Sequence, residues 1–337
     1  MKLKRKREWV LGILMTVGCV KTSTAQQNIQ FTQYIFNSLS INPAYAGYKE
    51  EWFVQTAMRA QWVGIEGSPK TGQVSIDGVA DPDTKRMGLG LQITADKLGP
   101  QSVSSIYANY AYRIQMDDDD TKRLSFGLAA GFAQYTLDGS MINTVSGTDL
   151  ALPTGKISDF VPDFRFGVYY YSPTWYAGAS VMDMLSGGNS RSVLFKNALN
   201  TLNLGRTRHL YFMTGAMLNL SDGFMLRPSL LVKEDFKGPT SLDLNAMFIF
   251  GTQFWIGGSY RTGVKIWNKN YLANQSLSNL NSLSALAQVY VSERIRIGYS
   301  YDYVISQLSD VQNGSHEITL GFTFPNKRDR YLSPRFF

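Results

Sequence analysis

Alternation constrains this chain more than any other feature. A β-strand projects successive side chains to opposite faces, so a run that alternates apolar and polar residues has one greasy face and one polar face. Near the C-terminal end, Ile295, Ile297, Tyr299, Tyr301 and Tyr303 share one face, and Arg296, Ser300 and Asp302 share the other. After a turn, Ile318, Leu320, Phe322 and Phe324 oppose Glu317, Thr319 and Thr323. The same pattern runs through 52–62, 74–80, 87–96, 104–114, 123–135, 163–171, 175–182, 209–220, 225–233, 241–250, 254–261 and 285–291. Together these make about fourteen strands, many close to the ~9–11 residues that a tilted membrane-spanning strand needs.

The connections sharpen this. "DPDTKR", "MDDDDTK", "SPT", "SDG", "GTQ" and "SER" are tight turns rich in residues that suit turn geometry. Between them lie the longer polar stretches 137–160, 183–208 and 263–283. One end of the sheet therefore carries turns and the other carries loops. An even-stranded outer-membrane barrel has this asymmetry, with its turns and both termini in the periplasm. A soluble β-sandwich has no reason to sort its loops so regularly. A run of about 18 apolar residues, which a membrane-spanning helix would need, is missing beyond the N-terminal region.

The two faces are chemically distinct. One collects Leu89, Leu91, Ile93, Leu124, Phe126, Leu128, Phe164, Phe166, Val168, Leu242, Leu244, Phe248 and Phe250. The other collects Gln92, Asp96, Asn109, Arg113, Asp163, Arg165, Arg227, Asp243, Asn245 and Arg296. Hydrocarbon accepts only the first set, since an ionised group there costs several kcal/mol. The first set is predicted to face lipid and the second the lumen. An arginine in place of Leu244 should therefore be costly, and one in place of Asn245 much milder. Trp62, Tyr112, Tyr170, Trp175, Trp255 and Tyr303 lie near strand ends, as an interfacial aromatic girdle requires. The small residues Gly88, Gly90, Gly127 and Gly131 leave room inside for a plug, a ligand or water.

The first residues read as a secretory signal: a basic "MKLKRKREW", an apolar "VLGILMTVGCV" and a small-residue "STA" ending at Ala25. A lipoprotein signal using Cys19 fits less well, because Thr16 is a poor residue three positions earlier. Cleavage removes six basic residues and one acidic one, so the formal charge of +7 falls to about +2. The basic character is then mainly a targeting feature and gives no argument for nucleic-acid binding. The sole cysteine leaves as well, so the mature chain has no disulfide.

Catalytic chemistry finds little support. The two histidines, His209 and His316, lack metal-ligand spacing, and neither a nucleophile elbow, a P-loop nor a zincin motif occurs. His316 and Glu317 beside Asp302 read better as a bracing network in the lumen than as a catalytic group. Asp117–Asp120 lacks the glycine and terminal glutamate of a calcium loop and reads as a solvated turn.

"QNIQFTQYIFNSLSINPAYAGYKE" (27–50) stands outside the strand pattern. Phe31, Tyr34, Ile35 and Leu39 fall near helical spacing, and Asn42-Pro43 would stop a helix. A short amphipathic helix here would fill the periplasmic mouth or dock a partner. Alternatively, the segment only covers the edge of the first strand.

"QFTQYIFNSLSINPAYAG" followed by "RAQWVGIEGSPKT" resembles the N-terminal signature of the PorP/SprF family of outer-membrane proteins. "RPSLLVK", "WIGGSYR", "YSYDY" and "NGSHEITLGF" match further family positions in order. The resemblance implies a non-enzymatic barrel of the type IX secretion and gliding machinery, needed for export or surface retention of secreted proteins such as a large adhesin. It implies partners among the periplasmic components of that machinery and a secreted adhesin or its C-terminal domain, and brings no catalytic, metal or cofactor residues. The resulting division is a signal peptide (1–25), an N-terminal periplasmic segment with a short helix (26–50), an outer-membrane β-barrel (51–324) and a basic periplasmic tail (325–337). A passive porin or a small-molecule uptake channel is the alternative that a similar barrel allows.

Overall fold

Chain reversals come first, because they decide which strands meet. At Gly223 (φ +72°) and Gly251 (φ +60°) the backbone enters the left-handed region that a glycine tolerates best. Asp117 holds its turn through the Thr121 and Lys122 amides, at 2.9 and 2.8 Å. Each reversal delivers the next strand antiparallel to the last.

A computed structural model describes residues 29–142, 155–186, 193–196, 201–204, 207–236, 238–264, 266, 281–305 and 307–324. It is a closed antiparallel barrel of fourteen strands. These are β1 (Trp52–Ala60), β2 (Lys70–Val79), β3 (Met87–Leu98), β4 (Gln101–Gln115), β5 (Arg123–Asp138), β6 (Lys156–Tyr171) and β7 (Trp175–Met182). There follow β8 (His209–Ala216, continued past Met217 by Leu218–Ser221), β9 (Phe224–Glu234), β10 (Thr240–Phe250) and β11 (Phe254–Val264). β12 (Ser282–Tyr290), β13 (Ile295–Val304) and β14 (Ser315–Phe324) complete the wall. Each strand pairs with its sequence neighbours, and β1 closes on β14 from Trp52↔Phe324 to Ala60↔His316. No edge of the barrel is left for a segment to cap.

The strands differ from expectation in three places. β4 starts at Gln101, so β3 and β4 are joined by Gly99 and Pro100 alone. β5 and β6 reach 16 residues each and form a tall wall at the loop end. The stretch 183–208 contains a small hairpin, Val193–Lys196 paired with Thr201–Leu204, outside the barrel sheet. The turn end carries the six short connections, and Trp52 and Phe324 both lie there. Among the described residues, no helix is long and apolar enough to cross a membrane.

Facing follows the alternation. Leu89, Leu91, Ile93, Phe126, Leu128, Phe164, Phe166, Leu244, Phe248 and Phe250 are exposed on the outer surface. Gln92, Asn109, Arg113, Asp163, Arg227, Asp243, Asn245 and Arg296 are buried inside, and Asp96 and Arg165 lie half-buried on the same face. Tyr112, Trp175 and Tyr303 are exposed near strand ends and Tyr170 is half-buried. Trp62 lies just past β1 with φ +51°. Trp255 corrects the girdle assignment: it is 2 % exposed and points into the lumen.

What fills that lumen is the N-terminal segment. Ile29–Glu50 forms no amphipathic helix; it makes three 3-10 turns, Gln33–Phe36, Ser38–Ser40 and Pro43–Tyr45. Such turns suit a chain whose backbone groups are claimed one by one by surrounding walls. The segment expected ahead of the barrel thus runs within it. Thr32 meets β13 and β14 at the loop end, and Gly47 meets β2 at the turn end.

Candidate functional site: the occupied lumen

At the loop end, Glu317 accepts the backbone amides of Thr32 (2.7 Å) and Gln33 (3.0 Å) on its two oxygens. The Gln33 side chain donates to the Glu317 carbonyl (2.9 Å) and accepts from Thr319 Oγ1 (2.8 Å), so its amide is used at both ends. Arg59 bridges the two acids, reaching Asp302 Oδ2 at 2.5 Å and Glu317 Oε2 at 3.1 Å, and also donates to Thr32 Oγ1 (3.0 Å). All three charged groups are buried. The plug backbone satisfies both oxygens of Glu317, and the Thr32 hydroxyl bonds Asp302 and Arg59. Arg59 Nε and Asp302 Oδ1 stay buried without a hydrogen-bond partner among the described residues, so the cluster depends on the bonds the segment supplies.

The middle of the segment is held by its carbonyls. Arg227 donates to Ile35 O (3.1 Å), and Arg296 donates to both Phe36 O (2.7 Å) and Gln55 Oε1 (2.6 Å). Ser180 donates to Ile41 O, and Asn245 Nδ2 donates to the Tyr34 hydroxyl (2.6 Å). Buried 3-10 turns leave many backbone groups without intrasegment partners, and long arginines from the wall reach them.

Asn42-Pro43 is the tightest docking point. Asn42 Oδ1 accepts from Ala44 N (2.9 Å), capping the turn that Pro43 opens. Its Nδ2 donates to Val168 O (3.0 Å) and Ala179 O (3.4 Å), two residues paired across β6 and β7. The backbone lies so close to the wall that a methyl at Gly127 would overlap the Ala44 amide, and one at Gly88 would overlap the Ala46 carbonyl. The room expected at Gly88 and Gly127 is thus occupied by the chain itself. Gly90 sits beside Leu39, whereas Gly131 faces the Ile106 carbonyl and the Tyr107 ring of the neighbouring strand.

Towards the turn end the lumen becomes aromatic. Tyr45 stacks on Tyr48 at 4.9 Å, and these meet Tyr169 and Tyr171 edge-on at 5.5 and 4.8 Å. Phe36 packs edge-on against Trp255 at 5.9 Å. Glu50 closes the mouth through Lys85 (2.7 Å) and Arg113 (3.2 Å). In the loop half a cavity of about 50 Å³ remains between the segment and the wall, lined by Gln73, Gln92, Thr94, Ser105, Arg165 and Tyr211 among others.

The groups weighed for chemistry are separated. Glu317 and Asp302 face inward and share Arg59, while His316 points to the outer face, where Nδ1 lies 2.8 Å from the Tyr299 hydroxyl. His209 lies 3.1 Å from Asp183 at the loop end. Asp120 pairs with Arg123, and the Thr121 hydroxyl with the neighbouring amides holds the Asp117 carboxyl below the usual carboxylate range. No group of three His, Cys, Asp or Glu that could hold a metal occurs among the described residues. Alternation already put Arg59, Gln55 and Ser180 on inward positions; what made them plug ligands was invisible until the segment was placed.

Among solved structures, the fold is similar to the CymD monoaromatic hydrocarbon channel, with a TM-score of 0.52 at 13 % identity over 88 % of this chain and 94 % of that one. It is also similar to a Pseudomonas aeruginosa FadL homologue (TM-score 0.45, 11 % identity, 86 % and 93 % covered). At such identity these likenesses describe the barrel fold alone. No protein of curated function matches the sequence. The profile of the type IX secretion system membrane proteins PorP/SprF matches residues 23–322, nearly the whole chain, and the QFTQYIFNSLSINPAYAG signature is the lumen segment itself. The chain belongs to the PorP/SprF family.

Proposed function

We propose that the protein is a non-enzymatic outer-membrane barrel that supports export or surface anchoring of secreted proteins by the type IX machinery, with a large adhesin or its C-terminal domain as one such client. The observation that carries this reading is the occupied lumen. Residues 31–48, all buried except the half-buried Ser40 and Ile41, are tied to the wall at both ends and in the middle. A diffusion porin needs an open water path; a barrel sealed by its own chain offers its rims and loops instead. In this reading the turn end faces the periplasm, the loops face outward and the apolar surface meets lipid. The basic tail 325–337 lies outside the described residues, as does the signal segment 1–25. The tail follows Phe324 at the turn end and is proposed as the contact to periplasmic components.

The test is surface proteomics of a deletion strain, together with uptake of small hydrophilic solutes. Loss of one or a few exported proteins with unchanged uptake is expected. An intact surface proteome with impaired uptake would favour the channel reading and overturn this one. Sidedness has its own check: an epitope within 183–208 should be reached by antibody on intact cells, and one at Asp117–Asp120 should not.

A further inference from the structure

Among the described residues, the outer surface carries a row at the loop end that does not suit hydrocarbon. In strand register, His316 of β14 lies opposite Ala60 of β1, Ala60 opposite Lys70 of β2, Lys70 opposite Lys97 of β3, and Lys97 opposite Ser102 of β4. All lie on outward positions at the loop end, and both lysines are exposed. Below them the same strands present Met58 and Ile318 and, past the small pair Gly72 and Ala95, Val74 and Ile93, each among the exposed large apolar residues. The row is thus the upper border of the apolar band.

Two lysines directly opposite on paired strands bring their Cβ atoms to about 4.5–5.5 Å, and like charges so placed repel. Neither takes part in an ion pair among the described residues. Asp96, next to Lys97, faces inward and accepts the Thr71 hydroxyl at 2.5 Å. Glu66, four residues before Lys70, lies exposed in the loop between β1 and β2 and pairs with neither lysine. A compact dianion shared by both ammonium groups would turn the repulsion into attraction. Its acyl chains would continue down over the apolar rows, and lysines bordering such a band hold their stems along it with the charge at the headgroup level.

We propose that Lys70 and Lys97, flanked by His316 and Ser102, form a site for the phosphate of a lipid headgroup, occupied by the phosphorylated glycolipid of the outer leaflet. The choice of glycolipid rests on the outward loop orientation proposed above; the phosphate chemistry rests on the paired lysines alone. The test uses the full mature protein in nanodiscs containing bisphosphorylated lipid A, dephosphorylated lipid A or phosphatidylglycerol, with retained lipid read by native mass spectrometry after delipidation. The wild type should retain bisphosphorylated lipid A at least tenfold over the other two. The double variant Lys70→Gln, Lys97→Gln should lose that preference while keeping the heat-modifiable folded barrel. Lys122→Gln, at the turn end, should keep it. Equal retention by wild type and double variant, or no preference for phosphorylated lipid in the wild type, would overturn the site. Equal retention of phosphatidylglycerol would overturn the glycolipid as its occupant. Purified protein is used throughout, so the result is independent of any role in export.

Discussion

The two ends of the lumen hold the same segment with different shares of charge and ring packing. At the loop end, Arg59, Asp302 and Glu317 clamp Thr32 and Gln33 with buried charge and hydrogen bonds, and a small polar cavity lies nearby. At the turn end, Tyr45, Tyr48, Tyr169 and Tyr171 pack ring on ring, and Glu50 beyond them has two cationic partners, Lys85 and Arg113. Charge clamps depend on every member being present, because a lost partner leaves a buried ion uncompensated. Ring packing loses area and leaves a cavity, and its neighbours can partly relax into it. A single change can therefore release the loop end, while the turn end, with its rings and a doubly partnered carboxylate, gives way more gradually.

The largest effect should come from Arg59→Ala. It strands two buried carboxylates and should cost about 3–5 kcal/mol. In urea titrations followed by heat-modifiability, the barrel midpoint should fall, and a cysteine placed at Gln30, half-buried just ahead of the clamp, should become more reactive from the loop side. An unchanged midpoint would show that the acids are neutral there and that the clamp is not ionic.

Leu39→Ala tests the apolar half. Leu39 is 1 % exposed, and a fully buried leucine truncated to alanine costs about 2–5 kcal/mol. Labelling at the Gln30 position should stay at the wild-type level in this variant, since the clamp is intact. Release of the loop end by Leu39→Ala would break the proposed division between the ends.

Gly127→Ala forces the backbone of Ala44 away from the wall. Overpacking of this kind costs about 1–3 kcal/mol. The barrel should remain folded, with ion conductance in planar bilayers rising above that of the wild type. A silent variant would mean that the segment can shift without opening a path.

The smallest effect belongs to Lys85→Gln. Its side chain is 28 % exposed, and the Glu50 carboxylate keeps Arg113 as a second partner. A partly exposed pair of this kind contributes roughly 0–1 kcal/mol. Added salt should erase most of the difference, whereas the Arg59→Ala deficit should persist in salt because that site is buried.

The wall was legible because a period of two is written into each strand. Leu244 is 46 % exposed and Asn245 5 %, as the alternation requires. Yet the consequence drawn for Asn245 does not follow. Asn245 donates to Tyr34, so an arginine there would meet a filled lumen and be far from mild. Trp255 misled for a related reason: its place near a strand end suggested an interface, but its parity put it inside, against Phe36. The apparent helix in 31–39 rested on spacing alone, and spacing cannot tell a helix from a folded chain whose apolar residues are all buried at once.

The barrel is written in local signals: strand count, facing, the two unlike ends and family membership all rest on periodicity, turn residues and ordered motifs. Those signals are short-ranged, and each strand carries its own. Where the N-terminal segment goes, and with it whether the lumen is open, is set by contacts between distant parts of the folded chain. Thr32 and Glu317 are 285 residues apart in the chain, and Ile35 and Arg227 are 192 apart. No local pattern records such a pairing. It exists because a closed wall lined with buried arginines and acids must satisfy them, and the nearest unsatisfied backbone is that of its own N-terminal segment.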